Sequence, residues 1–366
     1  VGDDEIAAAE RGLDGRVKDA IRACVDNVRR CHETQLPEPM ELREIRPGVR
    51  TGERASPVPS VGLYVPRGRG SFPSSTYMMT TPASVAGVPR IVVVSPPDAS
   101  GRCDPATLYT ARLCGAHEIY RVGGAQALAA LAWGTESLRP VVKLLGPGSR
   151  YVTAAKRLLA GVVDTGLPAG PTESAILADG TADPALVALD LLIEAEHGSD
   201  SQALLLTPSE PLAREVARLL PGYLARLPEP RRTYAADTLA GYGGIVITAD
   251  IAEAADIANT LAPEHLQIAT ADPSGTLALI RHAGEVLLGQ HTPFSLANYA
   301  VGANAVLPTG GTAKAWSALS VRDFMKWTSV AWVTGEGYDA IRDQAIVLAD
   351  YEGFPAHALA LRERRR

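Results

Sequence analysis

The period of the apolar positions changes along the chain, and the changes divide it into blocks. Near the start, Ile21, Val25 and Val28 recur at helical spacing among charged residues, so Asp3 to Gln35 reads as helix until Leu36-Pro37 ends it. Glu38 to Ser60 is rich in proline and charge and reads as an extended connection. From Val61 short apolar runs alternate with helical patterns. Strands are expected at Val61–Pro66, Arg90–Pro96, Glu118–Val122 and Val141–Leu145, and helices at Ser74–Ala86, Pro105–Cys114, Ala125–Trp133 and from about Arg150. After Gly166-Leu-Pro-Ala-Gly-Pro171 a second series begins. Its expected strands are Ser174–Ala178, Gln202–Thr207, Gly244–Thr248, Leu266–Ala269 and Val286–Leu288. Its expected helices are Pro184–Glu196, Pro211–Leu224, Ile251–Leu261 and Leu277–His282. Such alternation predicts parallel sheets covered on both faces, hence an α/β chain with two Rossmann-like domains. From Val321 the pattern is helical again, through Ile341–Leu348 and Pro355–Arg364. The expected division is 1–60 (helical segment and linker), 61–166 and 167–310 (the two α/β domains) and 311–366 (a helical tail).

Composition narrows the class without changing this picture. The chain has 366 residues, 46% hydrophobic and 21% charged, as a soluble globular protein of two domains would. A net charge of −6 argues against a nucleic-acid partner. The longest apolar stretch, Ala185 to Ala195, is broken by Asp190 and Glu194, so no membrane span is expected. Cys24, Cys31, Cys103 and Cys114 have no metal-site spacing and read as reduced thiols of a cytoplasmic protein. No signal-peptide pattern opens the chain, and its first residue, Val1, fits a start that has been trimmed.

Few stretches carry chemistry. Glu194 and His197 lie three apart at the end of a helical run that Gly198 stops, so they share a face. A carboxylate and an imidazole so placed suit a metal ion or a shared proton, and equally a solvated helix end. In Ala262-Pro-Glu-His-Leu266, Pro263 turns the chain out of helix and leaves Glu264 and His265 at a strand's mouth. That pair can supply a water-activating carboxylate and a general base, or an exposed edge and a half-buried core histidine. Gly146-Pro-Gly148 and Gly123-Gly124-Ala-Gln126 are strand-to-helix turns. Either could meet a phosphate or serve only as a tight turn, and neither has the full dinucleotide-binding spacing. Polar loops at Gln290 to Tyr299 and Ala303 to Gly311 follow a strand, where functional loops often lie.

In combination these stretches resemble the histidinol dehydrogenase family along essentially the whole chain. The matching segments are VGLYVP at Val61, TPASVAG at Thr81, VGGAQALAALAWGTES at Val122, LLGPG at Leu144 and LPAGPTE at Leu167. Further on come EAEHGSDSQ at Glu194, APEHL at Ala262, VLPTGGTA at Val306 and EGFPAH at Glu352. The resemblance implies two NAD-dependent oxidations of an amino alcohol with zinc bound. It implies that Glu264 activates water and His265 is the base. Tyr64, Gln126 and Ser149 would contact NAD. Glu194, His197, Asn298 and His357 would hold zinc, and Thr172 and Glu352 would contact substrate. It further implies a homodimer in which the C-terminal helices, carrying Glu352 and His357, complete the partner's site, and a short N-terminal piece upstream of Val1.

The chain departs from the family pattern in places. Glu194 stands where the family has Gln and Asn298 where it has Asp, so a carboxylate and an amide have traded places. The ligand charge is unchanged, and zinc is expected to be retained. Phe294 stands where the family usually has Glu, and Ala305 where it has His, with Thr172 for Ser and Ser149 for Asn. Phe294 is therefore expected at the substrate. A pocket that loses polar partners changes what it accepts. The expected function is oxidation of a primary alcohol other than histidinol, via the aldehyde towards the acid, by a divergent paralogue. The alternatives are L-histidinol dehydrogenase itself, a catalytically weak binding protein, and a metal-dependent hydrolase on the same fold. The intact Glu264-His265 pair speaks against the second, and Tyr64 with Gln126 against the third.

Overall fold

Residues 1–68 and 70–364 are described by a computed structural model. The N-terminal stretch is two helices, Asp3–Gly12 and Gly15–Glu33, rather than one. The break falls where Leu13 turns extended and the Asp14 carboxylate accepts the Arg16 N–H, capping a new helix start. The proline- and charge-rich stretch that follows is no mere connection. It forms the strands β1 (Met40–Arg46) and β2 (Val49–Pro57), an antiparallel hairpin.

Next come the parallel strands β3 (Val61–Tyr64), β4 (Ile91–Ser95), β5 (Glu118–Arg121) and β6 (Lys143–Leu145), in the order β5-β4-β3-β6. Every residue of β3, β4 and β6 is buried, which is why they read as largely apolar runs, with Lys143 the one charge among them. The strand order reverses between β3 and β6, and a ligand crevice opens outside the carboxyl ends of such a pair. Gly146 makes the exit from β6 possible. Its φ is +122°, and a Cβ there would lie 2.2 Å from the Tyr64 carbonyl oxygen.

The second sheet contains β7 (Glu173–Ala178), β8 (Gln202–Thr207), β9 (Gly243–Ile247), β10 (His265–Ala269) and β11 (Glu285–Leu288), all parallel, ordered β11-β10-β7-β8-β9. The Pro184–Ala195 helix joins β7 to β8. Asp183 caps it, Pro184 opens it, and Val187, Ala188, Leu191, Leu192 and Ala195 bury its core face. A helix between parallel strands runs back, so its last turn, with Glu194, arrives at the amino edge of the sheet. An additional helix, Arg231–Gly241, precedes β9, and the helix expected at Leu277–His282 lies instead at Pro273–Leu277, where Asp272 caps it. Hydrogen bonds tie the first-sheet region to the second. Tyr77 donates to the Tyr299 carbonyl at 2.9 Å, and Asn304 donates to the Met78 carbonyl at 2.6 Å.

Residues Pro37–Pro57 and those from Met325 onward form a compact unit of their own. The expected helical tail begins with a strand, β12 (Met325–Val333), which pairs antiparallel with β2. The helices Gly335–Tyr351 and Pro355–Arg362 follow. Among the described residues no helix is long and apolar enough to cross a membrane.

Candidate active site

Glu264 and His265 stand at the amino end of β10, not at its carboxyl end. The turn that delivers them is strained: Ala262 has φ +50°, the one non-glycine residue at positive φ among those described. Strain of this kind persists where the surroundings hold it, and it clusters at functional sites. Here the ring of Pro263 fixes its own φ, and strand pairing takes over at His265.

The same edge gathers the amino ends of the neighbouring strands. Glu173 opens β7, and its N–H donates to Glu264 Oε2 at 3.1 Å. The Glu173 carboxylate accepts the Gly310 N–H at 2.9 Å, which pins the Leu307 to Gly311 loop over the site. Glu285 opens β11 directly beside His265 in the strand register. Its Oε1 is 2.5 Å from His265 Nδ1, while His265 Nε2 faces Glu264 Oε1 at 3.8 Å. Glu264 and His265 are buried, and the Glu285 side chain is nearly so. Burial pushes the Glu264 carboxyl well above the usual carboxylate range; His265 opposes this and Glu194 adds to it. Burial works against a charged His265, yet Glu194, Glu264 and Glu285 together hold its pKa above the ordinary histidine range.

Glu194 is fully buried beside them. Its Oε1 accepts from Asn298 Nδ2 at 2.6 Å, so the positions that exchanged carboxylate and amide touch. Its Oε2 has no hydrogen-bond partner, although His197 Nδ1 lies 3.0 Å away. The Thr172 hydroxyl is 3.3 Å from that same Nδ1. Thus Glu194, His197, Asn298 and Thr172 form one cluster. Among the described residues of one chain, no group of three His, Cys, Asp or Glu side chains is arranged to hold a metal. The fit to a zinc ion rests instead on a mixed set: an orphaned buried carboxylate oxygen, an imidazole, and an amide whose NH₂ is committed to Glu194, leaving its oxygen as the donor. Several carboxylates around one imidazole also make the pocket favourable to a cation.

Other expected residues lie elsewhere. Tyr64 ends β3, and its hydroxyl accepts the Gly124 N–H at 3.0 Å, at the start of the Gly124–Trp133 helix. Gly124 has φ +73°, and the exposed Gln126 folds its amide back over it. Ser149 is exposed at the start of the Arg150–Leu159 helix and makes no capping bond of its own. Tyr64, Gln126 and Ser149 therefore line the carboxyl edge of the first sheet, on either side of its switch point. Phe294, expected at the substrate, has no exposed surface. It packs edge-on to the His265 ring, with centroids 5.8 Å apart, and belongs to the core under the helix that carries Glu194. It is apolar and buried, and its ring touches that of His265. Glu352 and His357 are exposed in the smaller unit, where His357 stacks near Phe354. Two site carboxylates, Glu173 and Glu285, escape the pattern of the sequence. Each is a single charge at the head of an apolar strand, and that isolation was the available signal.

A family model described as histidinol dehydrogenase matches residues 1–365. The chain is 53% identical over 364 residues to a histidinol dehydrogenase of Synechocystis sp., covering 100% of this chain and 84% of that one. It is 50% identical over 358 residues to a histidinol dehydrogenase homolog of Rhizobium meliloti, covering 98% and 78%. The crystal structure of histidinol dehydrogenase from Elizabethkingia anophelis superposes with a TM-score of 0.95 at 36% identity, covering 99% of this chain and 83% of that one.

Proposed function

The chain belongs to the histidinol dehydrogenase family, and we propose that it oxidises a primary amino alcohol other than histidinol, through the aldehyde to the acid. The family's enzymes are NAD-dependent oxidoreductases that carry an alcohol to an acid and use zinc. The observation that carries the reading is the buried Glu264-His265 pair set beside the Glu194, His197 and Asn298 cluster.

When bound, zinc supplies positive charge against the polar groups of the alcohol, and NAD supplies the acceptor for the hydride lost in each oxidation. Glu194, His197 and Asn298 are the ligands from one chain. His357, exposed on the smaller unit, is the fourth, given by a second copy, and Glu352 contacts that copy's substrate. Tyr64, Gln126 and Ser149 hold NAD at the first sheet's carboxyl edge. His265 takes the hydroxyl proton through Nε2. Glu264, held by the Glu173 N–H, then draws a proton from the water that adds to the aldehyde. Thr172 steadies His197 from the substrate side. The enzyme works as a cytoplasmic homodimer.

Phe294 supports a substrate other than histidinol. By the resemblance, Phe294 and Ala305 stand where the family usually has Glu and His; Phe294 packs on the base ring, and a site that withholds polar partners disfavours the molecule that needs them. NADH formation across a panel of primary alcohols tests this: an amino alcohol lacking the imidazole is expected to be fastest, and L-histidinol being fastest would reject it. Zinc has its own test. Adding zinc to chelated protein at about 100 times its Kd is expected to stabilise the fold by about 2.7 kcal/mol. A melting temperature that does not rise would rule the metal site out, whatever the activity.

A further inference from the structure

We propose that Glu285 is the positioning residue of His265: its carboxylate keeps one imidazole proton on Nδ1 and leaves Nε2, the nitrogen towards Glu264, as the one that takes and returns protons. The proposal deepens the reading of this site as a dehydrogenase and rests on it.

The geometry is set by the backbone. Glu285 and His265 are direct neighbours across β11 and β10. The Glu285 N–H donates to the Glu264 carbonyl at 3.0 Å, and the Gly284 N–H to the Pro263 carbonyl at 2.9 Å. Strand β11 is thereby zipped onto the strained turn itself. Gly284 permits the approach, since a Cβ there would lie 2.5 Å from the Glu264 carbonyl oxygen. Beyond that zipper, the Glu285 side chain is only 9% exposed and reaches His265 Nδ1 at 2.5 Å. An ionised carboxylate can only accept, so the proton in that bond belongs to the imidazole. The other nitrogen is then the free acceptor in the neutral ring. The edge-on ring of the buried Phe294 holds the imidazole plane from another side. A carboxylate that orients a catalytic imidazole in this way fixes its tautomer without itself being protonated.

The first test needs no substrate. The chain has 7 histidines, so selective ¹⁵N labelling of the zinc-loaded protein resolves them, and His265→Gln identifies the His265 signal. Nδ1 of His265 is expected to stay protonated while Nε2 exchanges its proton as the pH is varied. A neutral ring protonated on Nε2 would overturn the proposal. The second test is kinetic. Glu285→Gln can still accept the Nδ1 proton through its amide oxygen, so kcat is expected to fall about 10- to 100-fold, short of the ~10⁴ that follows a lost tautomer. The KM for the alcohol should hold, and Glu285→Asp should fall between the two. An unchanged kcat in Glu285→Gln would overturn the proposal. Should that variant fail to fold, the wild-type tautomer still decides. If the wild-type protein oxidises no alcohol, the dehydrogenase reading falls, and the Nδ1 proton alone decides the role of Glu285.

Discussion

Replacing His265 by Gln is expected to lower kcat for alcohol oxidation by about 100- to 10,000-fold, the range that a positioned general base contributes. Both oxidations should suffer, because each releases a proton from oxygen as the hydride departs. The replacement is chosen for the surroundings. His265 is 2% exposed and is the hydrogen-bond partner of the Glu285 carboxylate. An alanine would strand that buried charge, at a cost of about 1–3 kcal/mol or more, and would open a space beside Phe294. Gln offers an amide N–H to Glu285 and fills most of the volume, so a fall in rate reports the missing base rather than a loosened strand. Rates of NADH formation under saturating NAD and alcohol give the measure. A kcat within threefold of the parent would mean that the proton leaves by another route and that His265 only packs.

Most of this architecture is legible in the sequence. The buried parallel strands announce themselves as unbroken runs such as Ile91–Ser95, and the helix that carries Glu194 is bounded by Asp183-Pro184 and Gly198, whose preferences are local. What was not legible depends on distance along the chain. Strand β12 looks helical because most of its residues are exposed, leaving no clean alternation, and its partner β2 lies some 270 residues earlier. The site shows the same division. Glu194 with His197, and Glu264 with His265, are visible as local pairs. Glu285 meets His265 only because two strands, 20 residues apart at that contact, fall into register, and no local pattern encodes that. Phe294 misled in the opposite way. The family pattern, with Glu at that position, pointed Phe294 to the substrate, whereas the six-residue helix it begins turns the ring into the core against His265.

Glu264→Gln is expected to separate the two oxidations. The amide is nearly the same shape as the carboxylate, and its oxygen can still accept the Glu173 N–H that holds Glu264 now. What disappears is the charge. The first oxidation needs a base at the hydroxyl, which His265 still provides. The second needs water to add to the aldehyde, and an amide cannot take its proton. Oxidation of the aldehyde should therefore slow by about 100- to 10,000-fold, with a much smaller change for the alcohol. Burial raises the proton affinity of the Glu264 carboxyl, so the contrast should be largest at a pH above its raised pKa, where the native group is ionised. In practice the variant should release aldehyde, and the NADH formed per alcohol consumed should drop from two towards one. Trapping the aldehyde with a hydrazine reagent counts it directly. Equal slowing of both steps would assign Glu264 to holding His265, since the two side chains approach to 3.8 Å, and would leave the activation of water to another group on the same edge.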